Sequence, residues 1–251
     1  MIKTMADAPS YDGYRKYTAA VASNYERDRE VEAHWWKEDE FVREYFRDRV
    51  VPRLLDLPVG TGRFLPHYKR AQTIVGVDVS EDMLSEARRK LPLLPAGVVA
   101  SVERGDVFAL RFADREFTHA VVWRLFHLIP PDLIAGAIAE LCRVTQGEIV
   151  LQTYVAHAAV VVPRASFRSR LTHRLRRVAR SLEGIASRPS PPATATGEAA
   201  AAATPWSHIQ SYSHAQSQID AVFLSHGFTA HIARHLDTYD NCDVRVTVYQ
   251  R

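Results

Sequence analysis

Cysteine is almost missing from this chain: only Cys142 and Cys242 stand among 251 residues. With no CxxC pair and no metal-ligand spacing, a disulfide framework is excluded and a reducing compartment, the cytoplasm, is the expected location. No uninterrupted apolar run is long enough to span a bilayer, and residues 1–8 contain no apolar signal core, so a protein without a transmembrane segment is expected. Charge of one sign is also scarce. The 32 basic and 29 acidic residues leave a formal charge of +3, too small an excess to indicate a nucleic-acid partner by itself. His208, His214, His226, His231 and His235 lack the tight spacing of a metal triad, so no metal is expected. What the chain does have is apolar residues, 47% of the total, enough to bury a full core and to favour one decorated domain over two.

Trp35, Trp36, Phe41, Val42, Tyr45 and Phe46 recur at about helical spacing within 23–49 and predict a helical N-terminal cap over 1–52, closed by Pro52. Strands are expected over 53–57, 73–78, 97–103, 117–123 and 148–154 within a core of 53–155. A short helix over 64–70, one capped by Ser80 with Met83, Leu84 and Ala87 on one face, and one from Pro131 to Val144 stopped by Gly147 lie between them. Such alternation implies a parallel sheet covered on both faces, an α/β doubly wound fold. The pattern lapses over 156–206, where an arginine-rich stretch precedes a Ser/Pro/Ala/Thr tract that cannot bury enough apolar surface to fold alone. Order returns over 207–251, with a capping-box pattern at Ser213 and Gln216, a helix stopped by Gly227, and two alternating segments joined by a turn at 240–243.

Chemistry is concentrated where the first apolar run breaks into Asp56-Leu57-Pro58-Val59-Gly60-Thr61-Gly62-Arg63, and where the second ends in Val77-Asp78-Val79-Ser80. A glycine turn for close approach, followed one strand later by an acid, suits a nucleotide. The absence of a third glycine in Gly60-Thr61-Gly62-Arg63-Phe64-Leu65 speaks against a nicotinamide Rossmann protein. Asp78 is either that acid or a strand-end carboxylate capping the next helix, and Met83 either a ring contact or a plain core residue.

Those two segments, followed by Gly105-Asp106 and by Ala120-Val121-Val122-Trp123-Arg124-Leu125-Phe126-His127-Leu128, resemble the successive motifs of class I S-adenosylmethionine-dependent methyltransferases. The resemblance implies a seven-stranded, mostly parallel sheet with an antiparallel last strand, a helical N-terminal cap, and a partly disordered insertion after the fifth strand. It also implies S-adenosyl-L-methionine as cofactor. Gly60 and Gly62 would admit its methionine part, Asp56 its ammonium, Asp78 the ribose hydroxyls, Val79 and Met83 the adenine ring, and Asp106 the adenine amino group. Tyr25 and Arg63 would hold its carboxylate, with Thr61 and Trp123 completing the cofactor-binding set. Pro58 departs from the glycine usual in the family and stiffens the loop.

His127, past the fourth strand, is positioned either to deprotonate a hydroxyl or amine or to pack beneath its loop. Arg124, beside it, is positioned to pair with an acidic acceptor or to form a salt bridge. Tyr17, Trp35 and Trp36 are candidates for an aromatic lid, although adjacent tryptophans on a helix point in different directions. Trp123-Arg124-Leu125-Phe126 replaces an NPPY-type tetrad, which disfavours amide or base-nitrogen methylation. The expected function is methyl transfer to an oxygen or nitrogen of a small molecule. The alternatives are an RNA or protein methyltransferase docking through the arginine-rich segment, which also suits an anionic membrane surface, and a non-catalytic cofactor-binding protein.

Overall fold

The computed structural model describes Pro9, residues 17–157 and residues 211–251. The arginine-rich and low-complexity stretches and His208 lie outside them.

The helical cap is divided into α1 (Ala19–Ala22), α2 (Tyr25–Arg29) and α3 (Trp35–Phe46). Only α3 carries a full apolar stripe, burying Trp35, Phe41, Val42, Tyr45 and Phe46, with Glu38 among them. Strand β1 (Val51–Asp56) starts before Pro52 rather than after it. Val51 N already donates to Arg70 O at 3.2 Å, and a proline at the mouth of a strand forfeits little of the ladder. β2 (Ala71–Asp78) follows after a single 3₁₀ turn, Leu65–His67, instead of the expected helix, because Pro66 supplies no donor to extend it. The next helix, α4 (Glu81–Lys90), is capped as expected: Met83 N donates to Ser80 Oγ at 3.3 Å, and Met83, Leu84 and Ala87 are buried.

β3 (Val99–Arg104) and β4 (Phe117–Val122) follow with no α-helix between them, so the alternation lapses once. α5 (Ile134–Val144) runs directly into β5 (Thr145–Ala156), and Gly147 sits inside that strand rather than ending the helix. A Cβ there would stand 2.5 Å from Thr118 O, so glycine is required for β5 to approach β4 where their register shifts. α6 (Gln216–Ser225) begins at an Ala215 N-cap without a side-chain cap. The capping box does not form, because Gln216 Nε2 donates instead to Asp220 Oδ1 at 2.8 Å and Tyr249 Oη at 2.9 Å. Gly227, at φ +79°, turns the chain into the hairpin of β6 (Thr229–Tyr239) and β7 (Cys242–Gln250).

The seven strands form one sheet in the order β3-β2-β1-β4-β5-β7-β6, parallel except for β7, which runs antiparallel to both neighbours. Both faces are covered. One core joins Leu55, Phe117 and Ile138 to Phe223 of α6, and the other joins Leu54, Val121 and Val42 of α3 to Leu84 of α4. The carboxyl ends of β1, β2 and β4, where open α/β sheets bind ligands, lie beneath the N-terminal cap.

Candidate functional site

Asp78 closes β2 with its carboxylate buried, accepting from Gly60 N at 3.0 Å and Ser80 N at 2.9 Å. Burial pushes its pKa up to about 6, against the lowering by those amides. Such an acceptor gains from further donors, as a pair of ribose hydroxyls would supply. Gly60 has φ +54°, and a Cβ built on it meets nothing within 4 Å, so its bare backbone borders open space. Gly62, at φ +74°, is different: a Cβ there would stand 2.7 Å from Leu65 Cδ1 and 3.2 Å from Ala87 Cα. Its role is packing of the loop on α4, and it does not line the pocket.

Of the expected residues, Tyr25, Gly60, Thr61 and Asp78 line one pocket together with Arg63, Met83, Trp123 and Arg124. Tyr17, Trp35, Pro58, Val59 and Phe64 complete the wall. Tyr17, Tyr25 and Trp35 form an edge-to-face chain, with centroids 5.8 and 6.3 Å apart, while Trp36 points outward and is 60% exposed. The cap is fastened over the loop by polar bonds. Ser80 Oγ donates to Tyr17 O at 2.9 Å, and Thr61 Oγ1 and Lys90 Nζ both reach Glu26. The enclosed space is about 50 Å³, below the several hundred Å³ of most ligand pockets, so a nucleoside enters only if the cap yields.

Four other expected residues are absent from the wall. Asp56 is buried against Tyr68, whose hydroxyl donates to it at 3.1 Å, and burial pushes its pKa up to about 7. Asp106 accepts from Phe108 N at 2.9 Å within its own turn. Val79 is not part of the lining either. His127 is buried in the 3₁₀ turn Phe126–Leu128, with its ring 5.1 Å from that of Tyr154. Arg63 lines the pocket, but its donors are committed: Nη1 to Glu38 Oε2 at 2.9 Å and Nη2 to Trp35 O, with the guanidinium 3.3 Å above the Trp35 ring. The expected carboxylate clasp is therefore turned toward α3.

Sequence reasoning missed the acids that redirect these arginines. Arg124 Nε donates to Glu38 Oε2 at 3.0 Å and Nη1 to Glu32 Oε2 at 2.7 Å, while Arg29 Nη1 holds Glu32 Oε1 at 2.6 Å. Burial would raise Glu32, but Arg124 and Arg29 outweigh it and hold its pKa at about 2. Burial lowers the pKa of His34, 3.5 Å from both acids, although Glu38 opposes the shift. A signal was present: Glu38 falls on the stripe shared by Trp35, Val42 and Tyr45, where an apolar residue belongs.

Residues 54–147 match the family described as "Methyltransferase domain". Over 105 residues, 41% of the chain, the sequence is 32% identical to a phosphatidylethanolamine N-methyltransferase of Cereibacter sphaeroides, spanning 51% of that protein. Over 74 residues it is 39% identical to a demethylmenaquinone methyltransferase of Desulfitobacterium hafniense, spanning 28% of it. The matched region is thus about half the length of the first relative and less of the second. The fold resembles a magnesium protoporphyrin IX methyltransferase of Synechocystis at TM-score 0.57 and 15% identity, covering 87% of this chain and 84% of that one. It likewise resembles a 1,6-didemethyltoxoflavin-N1-methyltransferase of Burkholderia thailandensis at TM-score 0.57 and 12% identity, covering 98% and 92%. With strand order, glycine loop and domain match in agreement, the chain belongs to the class I S-adenosylmethionine-dependent methyltransferase family.

Proposed function

We propose that the protein binds S-adenosyl-L-methionine in the pocket beneath its N-terminal cap and transfers the methyl group to a nitrogen or oxygen of a small molecule. The observation that carries this is the pairing of the buried Asp78 carboxylate with the open backbone of Gly60 across a single bond of 3.0 Å. Asp78 would hold the ribose, Met83 the adenine, and Gly60 and Thr61 the methionine part. The chemistry supplied by the bound cofactor is an electrophilic methyl on a sulfonium. For an in-line displacement the chain has mainly to align the acceptor and exclude water, and the ring chain of Tyr17, Tyr25 and Trp35 is placed for the second task. Similarity to a phosphatidylethanolamine N-methyltransferase supports nitrogen over oxygen.

Calorimetric titration with S-adenosylmethionine and S-adenosylhomocysteine, with NAD and NADP as controls, tests the assignment. Saturable binding of the first pair alone is expected, and Asp78→Ala should weaken it by about 1–3 kcal/mol. No binding, or preference for a nicotinamide, overturns it. His127 is proposed as the base that accepts a proton from the acceptor. His127→Ala should then slow turnover at least tenfold with cofactor affinity unchanged, whereas equal loss of both would make it a packing residue beside Tyr154.

A further inference from the structure

The pocket wall contains two donors that nothing in the described structure satisfies. Arg124 is 8% exposed, and its Nη2 is sealed from solvent without a hydrogen-bond partner. Trp123, its neighbour in the wall, is 3% exposed, and its Nε1 is in the same condition. Buried donors are almost always paired, so two in one wall call for an acceptor.

The surrounding acids do not supply it. Glu38 Oε2 already takes Arg63 Nη1 and Arg124 Nε, Glu38 Oε1 takes Gln152 Nε2 at 3.2 Å, and the two Glu32 oxygens take Arg29 and Arg124. Arg124 itself is immobilised, since its backbone N donates to Gln152 Oε1 at 3.0 Å in a left-handed conformation, φ +56°. Charge is also out of balance. Arg29, Arg63 and Arg124 face two enclosed carboxylates, while Asp39, at the rim, reaches Arg63 Nε only at 3.8 Å and is shared with His67. A neutral acceptor would satisfy the donors but leave the excess positive charge; an anionic oxygen answers both.

We propose that Arg124, with Trp123, is the docking point for an anionic oxygen, carboxylate or phosphate, of a ligand held in this pocket. Two ligands can bring one: the cofactor, through its methionine carboxylate, or the acceptor, through an acidic group of its own. The proposal rests on the cofactor assignment for the identity of the pocket, and the test separates the two.

Wild type, Arg124→Lys and Trp123→Phe are titrated with S-adenosylhomocysteine and with 5′-methylthioadenosine, which lacks the carboxylate. Each S-adenosylhomocysteine-loaded protein is then titrated with inorganic phosphate. Lysine keeps one charge between Glu32 and Glu38 but cannot bridge both and still offer a donor, and Trp123→Phe keeps the ring while deleting the N–H. A loss of tenfold or more for S-adenosylhomocysteine with 5′-methylthioadenosine unchanged assigns the oxygen to the cofactor. An unchanged nucleoside pair with phosphate affinity lost assigns it to the acceptor. If neither substitution distinguishes the anion-bearing ligand from the one without it, the proposal is overturned. Should Arg124→Lys fail to fold, Trp123→Phe and the guanidinium ¹⁵N spectrum of wild type decide: an arginine side-chain signal shifting with S-adenosylhomocysteine or phosphate but not with 5′-methylthioadenosine is expected, and no such shift overturns it. Wild type that binds neither nucleoside strikes the cofactor assignment instead, and the phosphate titration run without nucleoside then decides the role of Arg124.

Discussion

At the residue scale, two glycines one position apart do different work. Alanine at either Gly60 or Gly62 is forced into the left-handed region, costing roughly 1 kcal/mol. At Gly62 the added methyl also meets Leu65 and the α4 backbone at Ala87, so Gly62→Ala should lower unfolding free energy by about 2–4 kcal/mol. At Gly60 it enters open space in the pocket, so Gly60→Ala should keep most of the stability and lose cofactor affinity at least tenfold. Urea denaturation and calorimetry on the same two proteins check this, and the reverse pattern would exchange their roles. The GxG spacing was legible in sequence, but the division of labour was not, since it depends on which glycine has α4 behind it.

At the element scale, the cap is held by charge as much as by apolar contact. Glu38 sits fully enclosed between Arg63, Arg124 and Gln152. Removing its charge strands two guanidiniums in low dielectric, so Glu38→Gln should cost on the order of 3 kcal/mol in chemical denaturation and speed amide exchange along α3. Trp36→Ala, on the exposed side of the same helix, should change stability by less than about 0.5 kcal/mol. A Glu38→Gln effect as small as that would show that packing alone holds the cap. The helical stripe was readable from spacing, and so was the mismatch of adjacent tryptophans. The breaks between α1, α2 and α3 were not, because no proline or glycine marks them and they follow from how the segment wraps the sheet edge. Gly147 was misplaced for the opposite reason: its stop signal was strong, yet the approach of β4 demanded the glycine inside a strand.

At the scale of the whole molecule, two buried carboxyls set a pH trend. Burial raises Asp56 from 3.8 to about 7 and Asp78 from 3.8 to about 6, so the folded state binds their protons more tightly than the unfolded chain. Stability from these groups is therefore fullest below about pH 4 and is lost as pH rises toward 7. Glu32 and Glu148, held at about 2, act in the other direction and lose their contribution as pH falls from 4.5 through 2. Asp56→Asn keeps an acceptor for Tyr68 and removes the ionisation, so it should raise stability at pH 8 by roughly 2–4 kcal/mol and far less at pH 5. Thermal melts at the two pH values check this, and an equal effect at both would show that Asp56 does not titrate in that window.

The order of apolar runs, the two turn-forming segments at their ends and the alternating C-terminal pair were enough to determine the fold class, because period and punctuation are local properties of a chain. So was Asp78, since a carboxylate ending a buried strand one unit after a glycine turn has few other uses. The destinations of Arg63, Arg124, Asp56 and Asp106 were decided only in three dimensions. Each is a long or polar side chain whose partner lies on another element, and burial leaves it no choice but the nearest donor or acceptor that the packed cap and sheet happen to bring within 3 Å.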